Sequence, residues 1–553
     1  MKPKFANRRI RLLLLVFGIA LSALFGRAVW LQGVQAGSLE RRAAIQHRAT
    51  VSLPAGRGTI FDRAGVPLAM GTEATTVYAD PRRIRNPWET ALAAARTLGV
   101  DAEELNEELA DRSRRFVYVA RQADRERAAA LRAQRLPGLG FYAEERRRYP
   151  QASVAAHVVG YAGIDNVGLA GVERQYDGVL AGRPGSQTIV REPTGRAIDV
   201  LRSVAPRQGR DIQLTLDRHL QARAEGVLRR TVIRWQAQAA TAIVLDPRNG
   251  DVLAMAAVPR FDGNRFAQTA AEVTRNRAVT DTYEPGSTFK VVTVAAVLSH
   301  RLVAPETGFV LEPEIEVADR VITESSRDST KYMTVTDIVA ESSNVGAITL
   351  AQRLGPHMLN RWIRRFGFGR RTGVDFPGET AGLVPPLETW SGSTIGTLPI
   401  GHGIGVTPVQ MAAAYGAIAN GGVWTQPRLV RRIDRARPLR PERRRVMPRR
   451  IARQLVAMLR GVVTRGSGKF AAVPAYRVAG KTGTAAKPEG RGYSRTRYVA
   501  SFVGIVPASK PRFVILVAVD EPKDVIYGGD VAAPAFAQIA RFALQYYGVP
   551  PDA

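Results

Sequence analysis

Apolar residues fill positions 12–31 with a single charge among them, Arg27. At about 1.5 Å per residue a helix of that length spans roughly 30 Å, the thickness of a bilayer core. Lys2, Lys4, Arg8, Arg9 and Arg11 precede it, so the pattern predicts a retained membrane helix with residues 1–11 in the cytoplasm and the bulk of the chain outside. Arg27 lies near the far end, within snorkelling reach of the headgroups beside Trp30. The competing reading is a cleavable signal peptide, since the uninterrupted apolar part, 12–26, is short; no convincing small-x-small cleavage site follows it.

Beyond the anchor the periodicity changes. Residues 74–79 and 115–120 alternate as strands, whereas 88–97, 102–109 and 123–136 follow helical spacing, the last stopped by Pro137-Gly138. A helix over 216–235, entered at Asp217 and carrying Leu220, Ala224, Val227, Leu228 and Val232 on one side, is expected to join a mixed module, 32–235, to a second one, 236–553. In the second module the apolar runs 240–245 and 252–258 flank Asn249-Gly250, a hairpin signal. A further strand pair, 497–506 and 512–519, is followed by a closing helix over 535–546. Strands at both ends with helices between them predict an α+β module, an antiparallel sheet covered by helices.

Composition narrows the chemistry. A chain of 553 residues, 45% hydrophobic, buries ample core for two or three domains. It has no cysteine, which excludes disulfides and thiol catalysis, and its 6 histidines show no ligand spacing for zinc. The net charge of +30 suits a membrane surface, an acidic wall polymer or nucleic acid. Arginine is spread throughout, however, and no basic stripe is interleaved with stacking aromatics, so nucleic-acid binding is not expected. The Arg-rich stretch 428–450 reads as a solvated loop, with a partner or lipid surface as the alternative.

The candidate chemistry sits in Tyr283-Glu284-Pro285-Gly286-Ser287-Thr288-Phe289-Lys290. Pro285 and Gly286 break the preceding structure, and Phe289, Val292 and Ala296 recur at helical spacing. Ser287 and Lys290 then share a face, and a desolvated lysine is a base able to activate a serine hydroxyl. The helix N-terminus adds free N–H groups near a developing oxyanion. Alone, Ser-x-x-Lys also describes an ordinary helix start. Two later pieces change the balance: Ser342-Ser343-Asn344 after the helical 335–341, and Lys481-Thr482-Gly483-Thr484 leading into strand-like sequence.

Ser-x-x-Lys, Ser-x-Asn and Lys-Thr-Gly in that order resemble the signature of penicillin-binding proteins and serine β-lactamases. Three N-terminal motifs resemble the non-catalytic region of class B penicillin-binding proteins. They are Arg57-Gly58-Thr59-Ile60-Phe61-Asp62-Arg63-Ala64-Gly65, whose charges can pair between its turn glycines, Arg148-Tyr149-Pro150 before His157-Val158-Val159-Gly160-Tyr161, and Gly168-Leu169-Ala170-Gly171-Val172-Glu173. Asp62 and Glu173 read as structural ion-pair partners. The stretch 501–508, with Tyr527-Gly528-Gly529 and Ala532-Ala533-Pro534, is most similar to the division-specific branch.

The resemblance implies the penicillin-binding fold and a D,D-transpeptidase that cross-links peptidoglycan stem peptides, needs no cofactor and is acylated by β-lactams. It assigns Ser287 as nucleophile and Lys290 as base, with Ser342 passing a proton to the leaving D-alanine. Asn344 holds the donor peptide and the lysine, Lys481 supplies positive charge, and Thr482, Gly483 and Thr484 form the segment that binds the terminal carboxylate. The N–H groups of Ser287 and Thr484 serve as oxyanion hole. It further implies a SEDS-type glycosyltransferase and other division proteins as partners, because no glycosyltransferase motifs precede residue 235. A carboxypeptidase, a β-lactamase and a non-catalytic penicillin-binding sensor are the alternatives; Glu379, the nearest candidate for a lactamase base, sits in a turn-like setting and reads as structural. Two look-alikes are set aside. Gly466-Ser467-Gly468-Lys469 lacks the first glycine and the Ser or Thr of a phosphate loop. Gly401-His402-Gly403-Ile404-Gly405 reads as a glycine-rich entry to a helix capped by Thr407.

Overall fold

The computed structural model describes residues 4–35, 37, 48–191, 197–325, 329–490 and 492–553. Lys2 of the N-terminal basic cluster lies outside the described residues. The chain divides into two units, residues 1–56 with 182–208 and residues 57–181 with 209–553. The first holds the N-terminal helix Lys4–Val29, continued by a wider turn over Trp30–Val34, and a three-stranded antiparallel sheet with Gly185–Arg191 between Arg48–Leu53 and Ala197–Val204. Arg8–Val34 is long and apolar enough to cross a membrane.

The second unit contains the central five-stranded sheet, in the order Val252–Val258, Ala239–Leu245, Phe513–Asp520, Gly492–Val506, Ala479–Glu489, antiparallel throughout. Both faces are covered, which explains why Ala239–Leu245 and Val252–Val258 are buried at every position, and apolar at all but Thr241, rather than at alternate ones. On one face lie Arg218–Arg234 and the C-terminal helix Ala533–Tyr546, burying Leu220, Val227, Phe536 and Ile539 against Phe502 and Val517. The helix expected to join two modules therefore packs on the catalytic sheet. On the other face the buried helices Lys290–Ser299 and Pro408–Ala419 fill the core, the second opened by the Thr407–Gln410 capping box.

A second large sheet is built on Pro67–Ala79, with Leu139–Arg148 antiparallel to it over ten residue pairs and Val117–Ala123 pairing with its distal half. Helices Pro87–Leu98, Ala102–Ala110 and Arg125–Ala133 cover one face of it, as the helical spacing predicts. The Arg-rich stretch departs from expectation. Val430–Ile433 pairs with Ile212–Leu214, and Arg443–Arg445 pairs with Val423–Thr425. Paired strands, not a loop, hold these arginines, because Val430 is buried and the Arg444 guanidinium lies 4.5 Å over the Trp424 ring.

The N-terminal motifs meet around one buried carboxylate. Glu173 accepts from Arg57 Nε and Arg147 Nε, each at 2.6 Å, and Arg57 reaches Asp177 at 2.7 Å. Arg57 thus pairs across the fold rather than within its own motif. Asp62 accepts the amides of Ala64 and Val66, both at 2.8 Å, which tightens the turn, and its other oxygen pairs with Arg218 at 3.8 Å. Arg57 and Glu173 are both buried, and each keeps a second ionic partner, Asp177 for the arginine and Arg147 for the glutamate, so the group is a small charge network rather than an isolated pair.

Candidate active site

Ser287 lies on a single 3-10 turn, Gly286–Phe289, and the α-helix proper begins at Lys290. Two glycines let that turn press on the neighbouring strand. Gly286 has φ +53, and a Cβ there would stand 2.9 Å from the Thr484 carbonyl oxygen; a Cβ on Gly483 would stand 2.7 Å from the Pro285 carbonyl oxygen. Any larger residue at either position drives the serine turn away from the Lys481-Thr482-Gly483 strand.

The second motif arrives from below. Helix Val335–Glu341 ends on Ser342 in the left-handed region, φ 68 and ψ 34, a conformation a serine adopts at a cost of order 1–3 kcal/mol. That turn directs both the carbonyl and the hydroxyl of Ser342 at Lys290. Lys290 Nζ donates to the Ser342 carbonyl, lies 3.3 Å from Ser342 Oγ and donates to Asn344 Oδ1 at 2.8 Å. Lys481 Nζ donates to the same Ser342 Oγ at 2.8 Å. One hydroxyl therefore bridges two lysine side chains, and all three motifs converge. Ser287 Oγ makes no hydrogen bond among the described residues, so the expected Ser287–Lys290 pairing is not closed in this state; the amine is held by Ser342 and Asn344 instead.

The electrostatics follow from burial. Lys290 is 1% exposed, and desolvation pushes its ammonium down to about 7, opposed by the carboxylate of Glu324. Lys481 is 0% exposed and is driven well below the usual lysine range, first by desolvation and then by the charge of Lys290. Two ammonium groups on one hydroxyl repel, so the site favours at least one neutral amine near neutral pH, which is what a general base requires.

Several groups that no motif announced complete the site. Glu324 accepts the Asn344 and Val345 amides at 2.9 and 3.2 Å and the Ser343 hydroxyl, capping helix Asn344–Leu354. Asn344 Nδ2 donates to the Thr323 carbonyl at 3.2 Å, which fixes Oδ1 towards Lys290. Ser467, from the set-aside phosphate-loop segment, shares a hydrogen bond of 2.7 Å with Thr482 Oγ1, and Thr484 Oγ1 accepts the Gly528 amide at 3.1 Å. A cleft of about 630 Å³ opens over Asn344, Thr323, Thr397, His402 and Tyr493. Two of its lining residues meet Glu284, which accepts from the Tyr493 hydroxyl at 3.0 Å and the Gly403 amide at 2.9 Å, with His402 Nδ1 at 3.5 Å from its second oxygen. Burial raises the Glu284 carboxyl and lowers the His402 imidazole, the latter helped by the charge of Lys290. Glu379 stands apart from this cleft's lining; it accepts from the Thr372 amide at 2.7 Å, the Thr372 hydroxyl and the Gly373 amide at 3.0 Å, satisfying a turn.

The chain matches two family models: residues 240–541 match the penicillin-binding protein transpeptidase domain, and residues 52–214 the penicillin-binding protein dimerisation domain. It is 33% identical to the peptidoglycan D,D-transpeptidase FtsI of Escherichia coli K12, over 99% of this chain and 93% of that protein. It is 36% identical to the penicillin-binding protein PbpB of Mycobacterium tuberculosis, over 94% of this chain and 82% of that one. Among solved structures, penicillin-binding protein 3 of the same mycobacterium in complex with aztreonam superposes with a TM-score of 0.72 at 32% identity, covering 91% of this chain and 98% of that chain.

Proposed function

This chain belongs to the class B penicillin-binding protein transpeptidases, in their division-type branch, and from that premise we propose how its residues carry out peptidoglycan cross-linking. The protein is a serine D,D-transpeptidase, and the observation that carries the assignment of roles is the single Ser342 hydroxyl contacted by both Lys290 and Lys481. Neutral Lys290 takes the proton of Ser287 as Oγ attacks the carbonyl between the two D-alanines of a donor stem peptide. The N–H groups of Ser287 and Thr484 receive the oxyanion, a contribution of several kcal/mol in sites of this kind. As the C–N bond breaks, the proton passes from Lys290 through Ser342 to the departing D-alanine amine, a path that the lysine's contacts to Ser342 support. Lys481 donates to the Ser342 hydroxyl at that relay, and Thr482 and Thr484 hold the terminal carboxylate. Gly483 keeps the strand close enough for both threonines to serve a substrate bound at Ser287. Asn344 orients the donor backbone and Lys290. An acceptor amine then attacks the ester and returns the proton to the same relay, regenerating the serine.

The β-lactams follow the first half of this sequence and stop at the ester. Glu379 is committed to the Thr372 turn, which leaves no carboxylate placed as a lactamase base by that residue. The N-terminal helix anchors the chain with its basic end in the cytoplasm and the transpeptidase domain outside, where its substrate lies. A reporter fused after Thr50 is then active outside the cytoplasm and stays with membranes; a shortened soluble product contradicts the anchor. A SEDS-type glycosyltransferase supplies the glycan strand that this chain does not polymerise, contacting the anchor and N-terminal domain. Exchanging residues 12–31 for an unrelated helix abolishes septal recruitment on this reading, and intact recruitment removes the anchor from it. Labelling membranes with a fluorescent penicillin tests the nucleophile: the wild-type band is lost in Ser287→Ala, and labelling that persists in that variant refutes the assignment.

A further inference from the structure

Helix Arg449–Thr464 turns two different faces to its surroundings. Its buried side, Ile451, Leu455, Met458, Leu459 and Val462, belongs to the core shared with the catalytic helices. A Cβ on Gly461 would touch Ala340 at 3.3 Å, in the helix that ends at Ser342. On the outer side Arg449, Arg453 and Arg460 line a groove of about 330 Å³ floored by Ile418, Val456 and Pro511. Spacings of four and seven residues keep the three guanidinium groups on one stripe. None of the three forms an ion pair or a side-chain hydrogen bond among the described residues, and the groove lining contains no carboxylate. The adjacent Ser509 hydroxyl donates to Asp552 and is therefore committed elsewhere. Other exposed arginines, Arg85, Arg112 and Arg127 among them, are also unpaired among the described residues; what sets these three apart is that they line one groove. Three exposed like charges along one stripe, with no carboxylate beside them, give the groove a positive field that favours an anion.

We propose that this groove is an anion site that takes a phosphate group, with an apolar substituent lying on its floor. The size decides against a protein segment, since a helix about 10 Å across does not enter a 330 Å³ recess, whereas that volume matches the lower end of small-molecule sites. The charge decides the sign, and the planar donor forks of three arginines match the several oxygens of a phosphate better than a single carboxylate. The apolar floor distinguishes the site from a bare patch of solvated arginines. The Arg-rich stretch that opened the question in the sequence ends at residue 450, so the groove joins its last residues to a helix that packs one element away from Ser342.

The test uses the full chain in a nonionic detergent. Inorganic pyrophosphate and a short-chain phosphatidylglycerol are titrated in turn, with a phosphatidylcholine of equal chain length as the neutral comparison and an oligoglutamate as the acidic peptide. Saturable binding is read by calorimetry for the wild type, for R449Q/R453Q/R460Q, and for a control with the same loss of charge on the exposed arginines R85Q/R112Q/R127Q. Acylation by a fluorescent penicillin verifies that each variant is folded. The groove triple is expected to weaken phosphate binding about tenfold or more while the control stays within about twofold, one charge-assisted hydrogen bond being of that order. Binding of both phosphate compounds identifies the phosphate as sufficient, and binding of the lipid alone identifies a headgroup. Equal losses in both triples, binding of oligoglutamate in place of phosphate, or no saturation by either phosphate compound overturns the proposal.

Discussion

Replacing Asn344 by aspartate puts a carboxylate where Lys290 Nζ now meets an amide oxygen at 2.8 Å. Burial has already moved Lys290 from an ordinary 10.5 to about 7, which raises its neutral fraction at pH 7 from roughly 3 in 10⁴ to about one half, a gain of about 10³. Because the base works only when neutral, wild-type acylation is flat above the midpoint and falls about tenfold per pH unit below it. An opposite charge at this distance stabilises the ammonium by about 1–3 pH units. The midpoint for Asn344→Asp therefore moves to about 8–10, and the rate at pH 7 falls by about 5- to 500-fold. The assay is stopped-flow acylation by a chromogenic or fluorescent β-lactam between pH 5.5 and 10, read as the midpoint rather than the absolute rate. The midpoint is insensitive to the lost donor to the Thr323 carbonyl, which costs about 1 kcal/mol of stability. A wild-type rate independent of pH between 6 and 8, or an unmoved midpoint in the variant, refutes Lys290 as the base.

Three further substitutions probe the surroundings. Glu324→Gln removes the charge that opposes deprotonation of Lys290, so the midpoint moves below that of the wild type, while the weakened cap on Asn344–Leu354 lowers Tm by an amount equivalent to about 1–3 kcal/mol; a higher midpoint contradicts the electrostatic reading. Glu379→Ala destabilises the chain by a similar amount through the orphaned Thr372 and Gly373 amides, yet leaves the lifetime of the penicilloyl ester unchanged in intact-mass spectrometry. Gly286→Ala carries a Cβ against the Thr484 carbonyl and a left-handed backbone, and slows acylation by about tenfold or more with little loss of secondary structure by circular dichroism.

The three motifs that converge on Ser342 were legible in the sequence because each is local. Spacings of three residues or fewer tie Ser287 to Lys290, Ser342 to Asn344, and Lys481 to Thr482 and Thr484, and the order of the motifs identifies the family. Glu324 was not legible, since it reaches the site from a separate hairpin and no short pattern ties it to Asn344. Glu284, His402 and Tyr493 meet across segments more than a hundred and ninety residues apart in the chain at their widest, 284 to 493. Spacing carries no signal for such contacts. The strand Leu139–Arg148 escaped notice because neither face is fully buried and its second half, Glu144 to Arg148, is charged at every position, which hides the alternation that marks a strand. The same masking applies to Val430–Ile433 and Arg443–Arg445, where pairing to apolar neighbours overrides an arginine-rich sequence. The fully buried, almost wholly apolar strands of the central sheet and the Asn249-Gly250 turn were plain for the opposite reason.

The central claim, that the Ser287 ester is resolved by an amine rather than by water, is tested by supplying the purified full chain with nascent glycan strands bearing pentapeptide stems. Released D-alanine and cross-linked stem dimers are then counted in the same sample. The account predicts one D-alanine released per cross-link formed, with both absent in Ser287→Ala; D-alanine released without cross-links contradicts it and makes the protein a carboxypeptidase.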